Sequence, residues 1–222
     1  MRSFDKKDIK LLNRAIIEDE FDDKLQNTNI YDDQVSGFDI LHTLEYTYDS
    51  KANADVLNVG AGSSADISPG FSQPPVNVFN LEPNPKRGDS NDNVITGWCE
   101  NIDTDKQFDF IVCWGTFCFT WSTQLTLLQF NRRLITGGRL IMDIVSESIF
   151  PLAQTQHPDS FVRHVSLFGF ELEHRIPFGT STHKREGFRF KKVRDFDINY
   201  FKMPQATGKI NNYLPERDWP LA

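Results

Sequence analysis

An α/β fold, a mostly parallel sheet ending in one antiparallel pair, follows from three features of the 222-residue sequence. First, five short apolar runs, ADVLNVG, PVNVFNLE, NVITG, FDFIVCW and RLIMDIV, alternate with polar, glycine-rich or helix-patterned connections. Near-continuous apolar runs of this kind suit strands covered on both faces. Second, FELEHRIPF and EGFRFKKV are separated only by the turn-rich GTSTHKR, which is the pattern of a hairpin. Third, the first run closes in the glycine turn GAGSS and the second ends in an acid, Glu82, as where a nucleotide-type cofactor is held at the edge of a parallel sheet.

Before the first run, Ile9, Leu12 and Ile16, with Leu11 and Ala15 offset, recur at helical spacing between Lys7 and Leu25. A polar break follows, and Phe38, Leu41, Leu44 and Tyr48 predict a second helix from about Ser36 that carries His42. Residues 1–53 therefore form a helical extension, 54–196 the cofactor-type domain, and 197–222 an irregular tail with Tyr200, Tyr213 and Trp219. Between the first two strands, SSADISPGFSQPP holds Pro69, Gly70, Pro74 and Pro75, so no helix longer than one turn is expected there. Between the fourth and fifth runs, STQLTLLQFNRRLITGG predicts a helix with Leu125, Leu128 and Phe130 inward, capped by Gly137 and Gly138. Asp159 or Ser160 is placed to cap another helix, carrying Phe161, Val162, Val165 and Phe168 and ending at Gly169.

Hydrophobic residues are 39% and charged residues 25% of the chain, a globular balance. No apolar run reaches the roughly 18 residues of a membrane span, and the charged N-terminus has no signal-peptide core, so a cytoplasmic location is the expectation. Cys99, Cys113 and Cys118 form no CxxC pair and have no histidine at ligand spacing; they read as reduced thiols, and no metal site is expected. A formal net charge of −7 opposes broad attraction to nucleic acid or anionic membrane. The local exception, HKREGFRFKKVRDF, interleaves six Lys or Arg residues with Phe188 and Phe190. It reads as the solvated face of an edge strand, with an RNA-facing strand as the alternative.

Four segments, in order, carry a resemblance to the class I S-adenosylmethionine-dependent methyltransferases over roughly residues 54–193: VLNVGAGSS, NLEPNP, FDFIVCWGTFCF and FNRRLITGGRLIMDI. The resemblance implies a Rossmann-like, doubly wound, seven-stranded sheet and S-adenosylmethionine as cofactor. It also implies a binding edge made of Asn58, Gly60, Ala61 and Gly62, then Glu82 and Pro83, then Trp98, Cys99 and Glu100, and finally Cys113, Trp114 and Gly115. Glycines without β-carbons let the cofactor lie against the turn. Glu82, twenty-two residues after Gly60, is placed to accept both ribose hydroxyls.

Two departures from the family pattern matter. The acid expected in the adenine loop is replaced by Trp98, so Glu100 or Asp103 takes that part or Trp98 stacks on the base. The missing first helix removes the dipole and free N–H groups that a dinucleotide pyrophosphate needs, while S-adenosylmethionine carries no phosphate. The reading is thus methyl transfer to a small-molecule or sugar-like acceptor. A methyltransferase fold kept as a binding or structural module, and an NAD-dependent oxidoreductase, are the alternatives. Candidate bases are Asp143, at the end of the fifth strand, and His42. Phe117, Phe119 and Trp121 line an acceptor or fill the core. The residues before Asp55, Tyr31 and His42 foremost, are expected as a lid, with the basic strand at the sheet edge away from it.

Overall fold

The computed structural model describes residues 52–60, 67, 71, 75–83, 93–148, 155–179 and 183–197. The segments expected to form two N-terminal helices, with Tyr31 and His42, and also Ala61, Gly62, most of the proline-rich connection and the tail lie outside the described residues. Seven strands form one sheet in the order β3-β2-β1-β4-β5-β7-β6. They are β1 (Asp55–Val59), β2 (Asn77–Glu82), β3 (Val94–Thr96), β4 (Phe108–Cys113), β5 (Leu134–Ser148), β6 (Phe170–Gly179) and β7 (His183–Lys192). β1 runs parallel to β2 and β4, β2 to β3 and β4 to β5, while β7 is antiparallel to both β5 and β6. The strand order reverses between β1 and β4, the place where open α/β sheets bind ligands.

Alternation along the strands divides the interior in two. Leu57, Val59, Leu81, Ile111, Cys113, Leu140, Met142, Phe188 and Phe190 belong to the larger core. Helices α1 (Thr123–Arg133) and α2 (Pro158–Leu167) press Leu127, Phe130, Phe161 and Val165 into it. Val56, Phe110, Val112 and Ile141 point the other way, into a second cluster with Ile67 and Phe71. Phe71 meets Phe110 edge-on at 5.3 Å.

Three local expectations are corrected. The helix before β5 stops at Arg133, where Leu134 turns extended, and the double glycine lies inside β5 instead of capping the helix. Gly137 has φ +89°, and a β-carbon on Gly138 would fall 2.8 Å from the Asp109 carbonyl oxygen and 2.9 Å from the Leu134 side chain. These glycines serve the irregular register of β5 on β4, which shifts between Phe108 and Phe110. The next helix is capped by neither Asp159 nor Ser160: it begins at Pro158 with His157 as N-cap, the position where a missing N–H costs nothing.

The third correction concerns the basic strand. β7 is not an edge strand; it lies between β5 and β6. Arg185, Arg189 and Lys192 are buried. Lys192 donates to the Asn131 and Leu134 carbonyls at 2.6 and 2.8 Å and pairs with Asp195 at 2.7 Å, while Arg189 and Arg139 share Glu173. The antiparallel register hid this, because a basic run shows its charge in sequence but not the carboxylates and carbonyls that neutralise it across neighbouring strands. No helix among the described residues is long and apolar enough to cross a membrane.

Candidate functional site

The carboxyl ends of β1 and β2 carry the glycine turn and the acid side by side. Gly60 adopts φ +69°, in the left-handed region that favours glycine, and its N–H donates to the Leu81 carbonyl at 2.8 Å. A β-carbon there would lie 2.6 Å from Thr116 Cγ2 and 2.9 Å from Thr116 Cβ, so Thr116 sits directly on the turn. Glu82 ends β2 with only 5% of its surface exposed, and Pro83 follows it, half-buried.

Period-two alternation puts Asn80 on the same face as Glu82, and the register pairs Asn80 with Asn58 across β1 and β2. The Asn58 amide donates to Asn80 Oδ1 at 2.9 Å. Asn80 Nδ2 is buried and has no hydrogen-bond partner among the described residues, although buried donors are paired as a rule.

The loop after β3 turns its acid inward. Glu100 is buried and accepts from the Trp121 N–H at 2.7 Å and the Ser122 N–H at 3.3 Å, just ahead of α1, whose N-cap is Ser122. Burial raises its pKa to about 7, against the lowering effect of these N–H donors. Trp98 is half-buried and its carbonyl accepts from the Asn101 N–H at 2.9 Å, closing a tight turn; Asp103 is exposed. Burial holds the Cys99 thiol well above its ordinary range.

The fourth-strand loop meets this edge from the other side. Burial likewise keeps Cys113 and Cys118 protonated, which removes them as nucleophiles. Beyond Cys113, the Gly115 N–H donates to Asp143 Oδ1 at 2.6 Å. The second oxygen of Asp143 takes Arg185 Nε at 2.8 Å and Nη2 at 2.7 Å, both residues being buried. The Trp114 ring stacks on Phe178 at 5.2 Å and 12°, and the Arg185 guanidinium carbon stands 4.7 Å from the Phe178 centroid and 5.5 Å from that of Trp114. Phe117 is core, edge-on to Phe161 at 5.4 Å, whereas Phe119 and Trp121 are half-buried.

The contact of Thr116 with Gly60 thus joins the first and fourth loops. Sequence reasoning passed over Thr116, Asn80, Arg185 and Phe178. Asn80 was within reach, since it stands two residues before Glu82. Arg185 and Phe178 reach Trp114 only through the pairing of β6 with β7 and of β7 with β5, which no local pattern shows.

No family model matches the sequence, and the search of curated proteins returns no relative. Solved structures do match. A 1,6-didemethyltoxoflavin-N1-methyltransferase of Burkholderia thailandensis, holding 1,6-didemethyltoxoflavin and S-adenosylhomocysteine, superposes with TM-score 0.63 at 12% identity over 87% of this chain and 93% of its own. Magnesium protoporphyrin IX methyltransferase from Synechocystis, with S-adenosylhomocysteine bound, gives 0.61 at 13% over 83% and 99%. A SAM-dependent methyltransferase of Thermotoga maritima gives 0.58 at 16% over 81% and 98%. Identities this low speak to architecture, and activity has to be argued from the site. The chain has the fold of the class I S-adenosylmethionine-dependent methyltransferases.

Proposed function

We propose that this protein binds S-adenosylmethionine at the carboxyl ends of β1 and β2 and transfers its methyl group to a small-molecule acceptor at the loop after β4. The observation that carries the reading is the buried Glu82 carboxylate at the end of β2, beside the left-handed Gly60 turn at the end of β1. A carboxylate at the end of β2, next to the glycine turn, is placed to accept hydrogen bonds from ribose hydroxyls. The unpartnered Asn80 amide, on the same face two residues away, fits the same group.

Gly60, Ala61 and Gly62 would lie along the methionine part and Glu82 at the ribose. Trp98 and Cys99 would lie towards the adenine, with Glu100 supporting that loop from within, since its carboxylate faces α1. The bound cofactor supplies an activated methyl group. The chain's part is to exclude water and align the acceptor, a task for Trp114, Gly115 and Thr116 on a loop tied to β5 through Asp143. Asp143 is a positioning residue here: with both oxygens engaged, a proton from the acceptor has to go elsewhere, and His42 is the remaining candidate.

A second reading, a methyltransferase fold kept as a binding module, is favoured by one observation, the Thr116 side chain filling the space over Gly60. Calorimetric titration with S-adenosylmethionine, S-adenosylhomocysteine and NAD separates the readings. Binding of the first two and not of NAD is expected. Binding of none supports the module, and binding of NAD alone an oxidoreductase.

A further inference from the structure

We infer that the acceptor is a flat aromatic or conjugated molecule that stacks on Trp114. This deepens the functional reading above and rests on it for the location of the acceptor. Trp114 immediately follows β4, and two residues later Thr116 lies on the Gly60 turn. Trp114 is half-buried, packed in part against the second core cluster, so part of the residue stays exposed at the edge where the sheet presents its loops.

Its surroundings fix it in place. Phe178 lies nearly parallel at 5.2 Å, the Arg185 guanidinium is 5.5 Å away, and the neighbouring Gly115 N–H is held by Asp143 at 2.6 Å. The Asp143–Arg185 pair behind this brace is buried on both sides. Buried ion pairs are seldom a net gain in stability, because desolvation offsets their attraction. A tryptophan that only covered core would not need one. A platform held rigid before its ligand arrives would, since pre-organisation removes the ordering cost of binding.

The loop's composition points the same way. In WGTFCF the side chains are aromatic or small, and the one hydroxyl, of Thr116, is turned to the Trp114 carbonyl at 3.2 Å. The loop therefore offers apolar ring surface rather than a set of hydrogen bonds, and aromatic surface is satisfied by other rings.

The test is by NMR on the full chain with naphthoate and hydroxybenzoate, each against its ring-saturated counterpart, with and without S-adenosylhomocysteine. The Trp114 indole N–H resonance is identified by its loss in Trp114→Phe. Naphthoate is expected to shift that resonance and to bind about 3- to 10-fold more tightly than the saturated acid, the worth of one aromatic pair. Trp114→Phe is expected to keep the preference and Trp114→Leu to lose it; should the leucine variant not fold, Phe178→Leu is expected to weaken the preference instead. Equal binding of aromatic and saturated acids, binding of neither, or a preference unchanged in the leucine variants would overturn the inference. S-adenosylhomocysteine titration in the same samples reports separately on the cofactor reading.

Discussion

Two carboxylates at the candidate site are buried for different reasons, and single substitutions tell them apart. Glu82 is buried at the end of β2, and its backbone carbonyl accepts from the Gly97 N–H. Replacing it with alanine should weaken S-adenosylmethionine binding by about 1 to 3 kcal/mol, the worth of hydrogen bonds to a charged group. Unchanged affinity in calorimetry removes Glu82 from the site. Glu100 instead holds the Trp121 and Ser122 N–H groups. Its folded pKa stands at about 7 against 4.5 for the ordinary group. An acid whose pKa is raised on folding contributes stability that is complete below the unfolded value and lost as pH rises through the folded one. The loss therefore falls between about pH 4.5 and 7 and amounts to about 3 kcal/mol at most. Glu100→Gln keeps an acceptor oxygen without the charge, so its stability relative to wild type should improve from pH 5 to pH 8 in urea melts. A difference that stays flat across that window would show that Glu100 is charged throughout.

At the level of elements, the double glycine shows how one motif can be legible in the sequence and misplaced by it. GG after an amphipathic helix reads as a helix end, because glycine tolerates the left-handed cap. The chain instead leaves the helix at Leu134 and pairs it with Phe108 of β4, and the glycines fall within the strand. The two should then respond differently to alanine. Gly138→Ala brings a β-carbon against the Leu134 side chain and against the Asp109 and Ile135 carbonyl oxygens, the last two being backbone atoms held by the strands, and should cost about 1 to 3 kcal/mol, as overpacking does. Gly137→Ala meets nothing within 4 Å and should cost only the left-handed backbone, about 1 to 2 kcal/mol. Denaturant titration of both variants checks the order, and a costlier Gly137→Ala would return the motif to a purely conformational role. The strands and the hairpin were readable because apolar alternation and turn residues are local. The inward face of α1 was only half readable, since Thr126 and Asn131 are buried there, Asn131 because it bonds the Phe168 and Arg194 carbonyls and the Phe196 N–H.

Across the whole molecule the same contrast separates the two ends of the sheet. The edge proposed for the cofactor was legible because the Gly60 turn and Glu82 are set by their own strands. The side proposed for the acceptor was not, because Trp114, Asp143, Arg185 and Phe178 meet only once β5, β7 and β6 are in register. These ends should also differ in stability. β5 is the longest strand and is flanked by β4 and β7, whereas β3 is a three-residue edge strand with no buried position. Opening free energies rise from exposed edges towards the core, so amide exchange should be slowest in β4, β5 and β7 and fastest in β3, with β2 next to it intermediate. A ligand that binds only the closed site slows exchange through every opening that destroys the site, by about 100-fold at a hundred times its dissociation constant. S-adenosylhomocysteine should therefore protect the Gly60 N–H, bonded to Leu81, and the Gly97 N–H, bonded to Glu82, as well as β2, while amides of the outer strand β6 that exchange by local fraying stay unchanged. Protection concentrated on β6 and β7 instead would place the cofactor at the opposite end of the sheet and overturn the assignment of Gly60 and Glu82 together.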